Sequence, residues 1–328
     1  MRRTLLSLVV WLFASPACAE VILGTDTHVV LATVDEGRAA LSKRDVYLDR
    51  LSKLDLAVRL RTSKDLAVDD YVAVARKSVL PWSDDEQARL AKILTGMQER
   101  SRRIARALPS RVILIKTSGE EESGAAYTRD DAVVLPQGRL KGDDASVEKL
   151  IWHELFHVLS RHNPELRDRL YATIGFERSP ELALPADIAA RKLTNPDAPY
   201  HEHVIRLQVD GNPAWCVPVL LSTRGQDQAG DGGAFFQYLE LKLLLVERDE
   251  QSGALRAIAG EGGESRLVAL SATPDFFAKI GRNTNYIIHP EEIVADHFAL
   301  LAVKAPDVKS PELLDKMKAV LTLQASPR

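Results

Sequence analysis

The chain has 328 residues, enough for one large domain or two smaller ones, of which 45% are hydrophobic and 27% charged. These proportions are ordinary for a globular protein and argue against a disordered chain or a repeat array. The formal net charge of −3 provides no basic field that would hold nucleic acid or an anionic membrane, so neither is an expected partner.

The first 19 residues have the layout of a secretory signal peptide. Two arginines precede an apolar run at residues 5–13, and the small residues 17–19 then provide a cleavage site before Glu20. Because the run is too short to span a bilayer, cleavage is preferred to an uncleaved anchor. We therefore expect an exported protein, periplasmic or secreted. A lipoprotein anchored through Cys18 is less favoured, since the residues before it are not uniformly apolar.

Removal of the signal peptide would leave Cys216 as the only cysteine. The exported chain could then form no internal disulfide, and its core would depend on packing. Because the neighbours of Cys216 are apolar, we expect a buried and unreactive thiol. No later segment has the roughly 18 uninterrupted apolar residues of a membrane span, so no integral membrane segment is expected after signal removal.

Residues 20–109 are predicted to form a mostly helical N-terminal region. Apolar residues recur at spacings of three and four between residues 35 and 108, which is the period of a helix. Pro81 divides this run, and Ser83 with Glu86 has the pattern of a capping box that begins the next helix. The region contains no recognisable chemical motif.

A small sheet and a long helix are predicted next. Residues 112–115 have the pattern of a buried strand, and residues 125–128 and 132–135 flank a polar turn, as in a hairpin. Residues 146–161 then form the most periodic helix of the chain. These elements predict an α+β fold with a small antiparallel-type sheet beside this helix and with helical N- and C-terminal parts.

The remainder, residues 110–328, is predicted to be a single domain with an insertion at about residues 175–282. Within the insertion, strand patterns occur at residues 204–209, 215–221 and 235–246, although the last also fits a helix. Further helices are predicted at residues 164–174, 290–303 and 311–323, each with a proline in its first turn.

The strongest chemical motif is His153-Glu154-Leu155-Phe156-His157. On a helix, residues four apart share a face, so both imidazoles can bind one Zn²⁺. The intervening Glu154 can accept a proton from a water molecule whose pKa the metal lowers, and then pass it to a leaving amine. A pair of surface histidines is the simpler interpretation. It is disfavoured because two imidazoles and a carboxylate without partners are costly on an apolar helix.

A catalytic zinc site needs a third protein ligand. Glu292 and Asp296 lie four apart on a predicted helix and therefore share a face. This spacing suits one carboxylate on the metal and a second, one turn later, that receives the N–H of a ligating histidine. Glu292 is the predicted ligand and Asp296 the predicted histidine partner.

The order H-E-x-x-H followed far downstream by E-x-x-x-D resembles the gluzincins, the thermolysin-like clan of zinc metallopeptidases. The resemblance implies zinc ligands at His153, His157 and Glu292, a catalytic base at Glu154 and a histidine partner at Asp296. It also implies that an edge strand of the sheet near the hairpin holds the substrate backbone. The similarity covers residues 112–174 and 283–303, and the long insertion between them departs from the compact members of the clan.

Several other residues are alternatives for the third ligand. His297 or Asp296 could replace Glu292, and His201 with His203 could bind metal or substrate if they share a strand face. Glu291 has no carboxylate four residues later. We interpret it as a solvated carboxylate in the first turn of a helix.

Peptide hydrolysis also requires a donor for the oxyanion of the tetrahedral intermediate. In the resembled clan this donor is a tyrosine or a histidine. Tyr286 is the predicted donor because it lies in a polar loop just before Glu292, and His289 is the alternative. Tyr127 in the hairpin is a third candidate.

Together, these residues predict an exported zinc metallopeptidase that hydrolyses a peptide or protein substrate. Two alternatives stay open from the sequence. One is a zinc-containing scaffold that binds peptides without cutting them, which would have no need of Glu154. The other is a zinc hydrolase of a non-peptide substrate, which would use the same water-activating residues.

Overall fold

The computed structural model describes residues 20–24, 26–102, 107–230 and 235–324. The predicted signal peptide, residues 1–19, lies outside this described part. Within it, no helix combines the length and the apolar character that crossing a membrane requires.

The N-terminal region begins with two paired strands and continues with five helices. The strands are β1 (Glu20–Leu23) and β2 (Thr27–Leu31). The helices are α1 (Val34–Ser42), α2 (Val46–Arg50), α3 (Lys53–Leu60), α4 (Val68–Ser78) and α5 (Asp84–Ser101). The predicted capping box at α5 is present: the Ser83 side chain accepts the Glu86 N–H and the Glu86 side chain accepts the Ser83 N–H.

The first sheet contains β3 (Arg111–Thr117), β4 (Tyr127–Arg129) and β5 (Ala132–Pro136) besides the two N-terminal strands. Its order is β1-β2-β3-β5-β4. The predicted hairpin β4–β5 is antiparallel, but β3 pairs in parallel with both β2 and β5. The sheet is mixed because the five N-terminal helices form the crossover that a parallel β2–β3 pair requires. The N-terminal region therefore shares a sheet with the residues after 109.

A short 3₁₀ helix, Arg139–Lys141, leads into α6 (Asp144–His162) and α7 (Pro164–Ala172), both close to their predicted bounds. Asp143 caps α6 by accepting the Ser146 N–H. The inner face of α6 packs against the first sheet in one continuous core that includes Val133, Trp152 and Phe156. The helix carrying the histidine motif is thus held rigidly between the sheet and the C-terminal helices.

The insertion forms a second, antiparallel sheet. Its strands are β6 (Phe176–Arg178), β7 (His203–Val209), β8 (Asn212–Ser222), β9 (Leu239–Arg248), β10 (Leu255–Ala257) and β11 (Leu267–Val268), and its helices are α8 (Ala186–Ala189) and α9 (Phe276–Ile280). The strand order is β10-β9-β8-β7-β6, with β11 also paired to β9. Three short 3₁₀ helices lie between these elements: Gln226–Gln228, Phe235–Tyr238 and Leu270–Ala272.

The structure tests the predictions for the segment 235–246 and for Cys216. The ambiguous segment 235–246 is mainly strand, because β9 pairs with β8 along most of its length. Cys216 is a buried free thiol on β8, as predicted. Burial, assisted by Asp275, raises the pKa of this thiol to about 12, which leaves it unreactive.

The chain ends with α10 (Pro290–Ala302) and α11 (Pro311–Gln324), both predicted. Helix α10 packs against α6, where Phe298 contacts the rings of Trp152 and Phe156 at centroid distances of 6.1 and 5.5 Å. These aromatic contacts fix the two helices side by side. The α+β class with helical N- and C-terminal parts is confirmed.

Candidate metal centre

Two helices bring the predicted ligands together. His153 and His157 lie one turn apart on α6, with ring centroids 4.8 Å apart and planes at 81°. Glu292 lies in the first turn of the neighbouring α10. Its Oε2 is 3.1 Å from His153 Nε2 and 3.5 Å from His157 Nε2. Three donor atoms from two packed helices therefore converge on one point.

This spacing suits a metal ion. A tetrahedral zinc ion with bonds of about 2.0–2.1 Å holds neighbouring ligand atoms about 3.3–3.4 Å apart. The two distances to Glu292 lie on either side of that value. His153, His157 and Glu292 are thus positioned to bind a metal ion. His157 Nε2 is also buried without a hydrogen-bond partner among the described residues, which is costly unless a ligand satisfies it.

The other nitrogen of His153 is held by Asp296. His153 Nδ1 lies 2.9 Å from Asp296 Oδ1, and Thr284 Oγ1 donates a hydrogen bond to the second oxygen of that carboxylate. Asp296 therefore occupies the place expected for the partner of a ligating histidine. Its contact directs Nε2 of the imidazole towards the metal position.

Glu291 holds the Nδ1 atom of His157 as Asp296 holds that of His153. The prediction that Glu291 is a solvated carboxylate is therefore wrong. Its side chain is buried, with Oε1 2.8 Å from His157 Nδ1 and 2.5 Å from Ser160 Oγ. Tyr171 donates a hydrogen bond to Oε2. The carboxylate points inwards because α7, which carries Tyr171, packs against the start of α10. Glu291 thus contacts Nδ1 of the His157 ring, and the adjacent Glu292 lies on the side of Nε2.

We expect Glu291→Gln to weaken zinc binding about 10–100-fold, the range typical for lost hydrogen bonds to metal-ligating histidines. The amide keeps the size of the side chain but loses its charge, so His157 is held less firmly and is less basic. A competition titration against a chromophoric chelator measures the change in Kd. Glu165→Gln, on the exposed side of α7, is the control, and an unchanged Kd in Glu291→Gln would contradict this role.

Burial and charge set the protonation of the site. Burial lowers the pKa of His153, but hydrogen bonds to Asp296 and Glu292 outweigh it and raise that pKa to about 9. Burial tends to raise the pKa of Glu292, yet His157 and His153 hold it well below its ordinary value. Without a metal, protonated imidazoles therefore supply the positive charge that the carboxylates require.

Glu154 differs from the other carboxylates of the site. It is 2% exposed, and its Oε2 is buried without a hydrogen-bond partner in the described part of the chain. Burial, followed by the charge of Asp197, raises its pKa to about 8. A carboxylate with such a pKa can take up and release a proton near neutral pH.

A segment of the insertion crosses the site, and sequence reasoning missed it. This crossing segment, residues 194–199, contributes Asn195, whose Nδ2 donates to Glu292 Oε1 at 2.6 Å. It also contributes Asp197, whose Oδ1 accepts hydrogen bonds from Thr128 N and Oγ1, both at 2.7 Å. Neither residue lies in a helix or strand, so no periodic pattern marks them. The local signal that the sequence offers here is the short run Asn195-Pro196-Asp197.

Asp197 forms a second possible metal-binding group with Glu154 and His157, whose ligand atoms all lie within 4.8 Å of one another. Both groups need His157, and Glu291 already holds its Nδ1. Only Nε2 of His157 can therefore bind a metal, and one ring nitrogen binds one ion. The two groups are therefore alternative arrangements around a single metal position rather than a pair of metal sites.

The ligands open onto a cleft of about 410 Å³. Tyr286 lines it, is 39% exposed, and lies with its ring centroid 6.3 Å from that of His153. Its ring is thus close to the first of the metal ligands and partly open to the cleft. The remaining lining residues include Ala125, Ala126, Arg139, Lys149 and Phe236.

The other candidates lie elsewhere. His289 is the N-cap of α10, where its Nδ1 accepts the Glu291 N–H at 3.1 Å, and it does not line the metal cleft. His203 contacts Asp168 Oδ1 through Nε2 at 3.0 Å. His201, His297 and Tyr127 belong to neither metal-binding group found among the described residues and do not line the cleft. Of the two predicted oxyanion donors, only Tyr286 lines the metal cleft.

Comparisons with known proteins add no further information. No family model matches the chain, and neither the curated proteins nor the solved structures contain a match. Function has therefore to be inferred from the geometry and chemistry of this site.

Proposed function

We propose that the chain is an exported zinc-dependent metallopeptidase of the gluzincin type. The observation that carries the proposal is the convergence of His153, His157 and Glu292 beside Glu154, whose Oε2 has no hydrogen-bond partner among the described residues. Three protein ligands leave one tetrahedral position open for water or substrate, as catalytic zinc sites require. Two imidazoles and one carboxylate form the donor set of many zinc peptidases.

The proposed mechanism assigns a separate task to each side chain. When bound, zinc lowers the pKa of water and polarises a carbonyl group. The Glu154 carboxylate accepts a proton from the water that attacks the scissile carbonyl carbon. Glu154 then returns the proton to the leaving amine as the C–N bond breaks. The Tyr286 hydroxyl donates a hydrogen bond to the oxyanion that develops on the carbonyl oxygen.

A peptide substrate is supported by the edge of the first sheet. Strand β4 is the last strand of that sheet, and the residues just before it, Ala125 and Ala126, line the cleft. Backbone at a sheet edge can pair with an extended peptide. Because β4 itself is buried, the backbone of Ala125 and Ala126 is the part of this edge that lies at the cleft. This arrangement favours a peptide over a substrate without a backbone.

The position of Glu154 favours catalysis over a scaffold that only binds peptides. Its Oε2 is buried without a hydrogen-bond partner among the described residues, which costs free energy and brings a structural zinc site no benefit. The test is incubation of the zinc-loaded protein with a mixture of peptides, followed by mass spectrometry. Cleavage that stops on removal of zinc and returns on its addition is expected. Intact peptides throughout would contradict the proposed function.

Replacing Tyr286 with phenylalanine should lower kcat about 10²–10³-fold, the usual loss for one oxyanion donor. The ring and its packing are kept, so KM and zinc content should change little. Steady-state kinetics with elemental analysis measures both. Tyr200→Phe, which removes a hydroxyl outside the metal cleft, is the control. An unchanged kcat in Tyr286→Phe would remove this residue from the mechanism.

A further inference from the structure

One carboxylate in the cleft has no task in the mechanism described above. Asp197 lines the cleft together with His153, Glu154 and Glu292. Its Oδ1 is fixed by the Thr128 N–H and hydroxyl, whereas no hydrogen bond from the described residues reaches Oδ2. The carboxylate lies within 4.8 Å of a ligand atom of both Glu154 and His157. A carboxylate with one oxygen fixed and the other available thus lies beside the place where a scissile carbonyl would lie.

Covalent geometry identifies the substrate atom that would lie next to the Asp197 carboxylate. The nitrogen of an amino-acid residue lies about 2.5 Å from its own carbonyl carbon, given bond lengths of about 1.46 and 1.52 Å and a near-tetrahedral angle. A carbonyl placed for attack between Glu154 and His157 therefore carries its α-nitrogen close to the centre of the site. Asp197 is near enough to contact that nitrogen.

The edge strand β4 also supports a position for the substrate's α-nitrogen at Asp197. In the three-residue strand β4, Thr128 N–H points away from β5, and Asp197 already occupies it. A substrate cannot use this donor to pair with residues that precede the scissile bond. The crossing segment is held on its other side by the contact from Asn195 to Glu292. The crossing segment is therefore tethered through both Asn195 and Asp197, and it presents the Asp197 carboxylate to the cleft.

Positive charge lies towards the other end of the cleft. Lys149 lines the cleft one turn before His153 on α6, and Arg139 lines it beside the hairpin. With a rise of about 1.5 Å per residue, the eight residues from Lys149 to His157 span about 12 Å along the helix. The cations that line the cleft therefore lie towards the start of α6, and Asp197 lies towards its His157 end, where Arg161, outside the lining, donates to Thr128 Oγ1. A peptide with its amino end at Asp197 matches this order of charges.

We propose that Asp197 binds the free α-ammonium group of the substrate and that the enzyme is an aminopeptidase. This inference rests on the proposed peptidase function and names its substrate class. An ammonium group in a partly buried site forms a charge-assisted hydrogen bond with a carboxylate. An acylated nitrogen carries no charge and therefore forms no such contact.

Binding is tested without turnover in the zinc-loaded Glu154→Gln protein. The probes are tetra-alanine amide with a free amino terminus and the same peptide acetylated, measured by isothermal titration calorimetry. We expect at least a tenfold lower Kd for the free amine. Adding Asp197→Asn should abolish that difference while zinc content, measured in the same samples, stays at one per chain. Asparagine keeps an acceptor for Thr128, so the crossing segment is retained.

The matched control is Asp130→Asn, which removes one carboxylate in the β4–β5 turn outside the cleft. This variant should keep the preference for the free amine. Equal affinity of the Glu154→Gln protein for both peptides would overturn the proposal. Loss of zinc in Asp197→Asn would overturn it as well, because Asp197 would then be a metal ligand rather than an ammonium site.

Product analysis with the unmodified protein separates this inference from the proposed function. Stepwise release of single residues from the free amino end is expected, with acetylated peptides left intact. Internal cleavage of acetylated peptides would contradict the aminopeptidase assignment but support a peptidase. If no peptide is cleaved while the Asp197-dependent binding preference remains, the proposed catalysis fails and the ammonium site stands.

Discussion

Glu154→Gln should lower kcat for peptide hydrolysis about 10²–10⁴-fold, the usual contribution of a general base or acid. Glutamine has nearly the same size as glutamate but cannot accept a proton at neutral pH. Because Glu154 lies on α6 between the two histidines without contacting a partner through Oε2, the substitution leaves the metal ligands in place. Zinc content should therefore stay at one ion per chain.

The measurement combines single-turnover kinetics with elemental analysis of the same preparation. Glu165→Gln, on the exposed side of α7, makes the same chemical change away from the cleft and should keep full activity. Turnover by Glu154→Gln at the rate of the unmodified protein would exclude Glu154 as the base. Loss of both zinc and activity would instead assign Glu154 to the metal, in the alternative group with His157 and Asp197.

The part of the site that lies on helices could be predicted from the sequence. The spacing of four between His153 and His157, and again between Glu292 and Asp296, is a consequence of helix geometry alone. The structure brings all four side chains together. Helical periodicity is a local property, so the relative placement of residues within one helix can be inferred before the fold is known.

The residues that sequence analysis missed depend on tertiary contacts. Nothing local distinguishes Glu291 from an exposed carboxylate in a first helical turn; it is buried because Tyr171 and Ser160 of other helices surround it. Asn195 and Asp197 lie in an irregular segment about 40 residues after His157, and only the path of the insertion brings them to the site.

The fold was predicted unevenly for the same reason. Helices, the β4–β5 hairpin and the α+β class follow from local patterns and are present. Strands β1 and β2 were not predicted, although Val21, Leu23 and Val29 alternate with exposed residues and are buried. Each strand has five residues or fewer, too short for a reliable period. The parallel pairing of β2 with β3 is a contact across the whole N-terminal region.

Glu292→Ala should abolish stoichiometric zinc binding. The substitution removes one of three ligands and also the charge that offsets a divalent ion in a buried site. The loss in affinity should exceed the 10–100-fold expected for Glu291→Gln, because a direct ligand is removed rather than a partner of a ligand. Elemental analysis after dialysis against chelator-free buffer, with a chelator competition titration, measures both stoichiometry and Kd.

Glu312→Ala, on the exposed face of α11, is the control for loss of a carboxylate near the C-terminal helices and should retain one zinc per chain. A Glu292→Ala protein that also keeps one tightly bound zinc would transfer the third ligand to the alternative group, in which Asp197 and Glu154 lie near His157. The double substitution Glu292→Ala with Asp197→Asn would then release the metal. If Glu292 is the third ligand and Asp197 is not a ligand, the Asp197→Asn protein keeps its zinc. The Asp197 carboxylate of the unmodified protein is then free to bind the substrate.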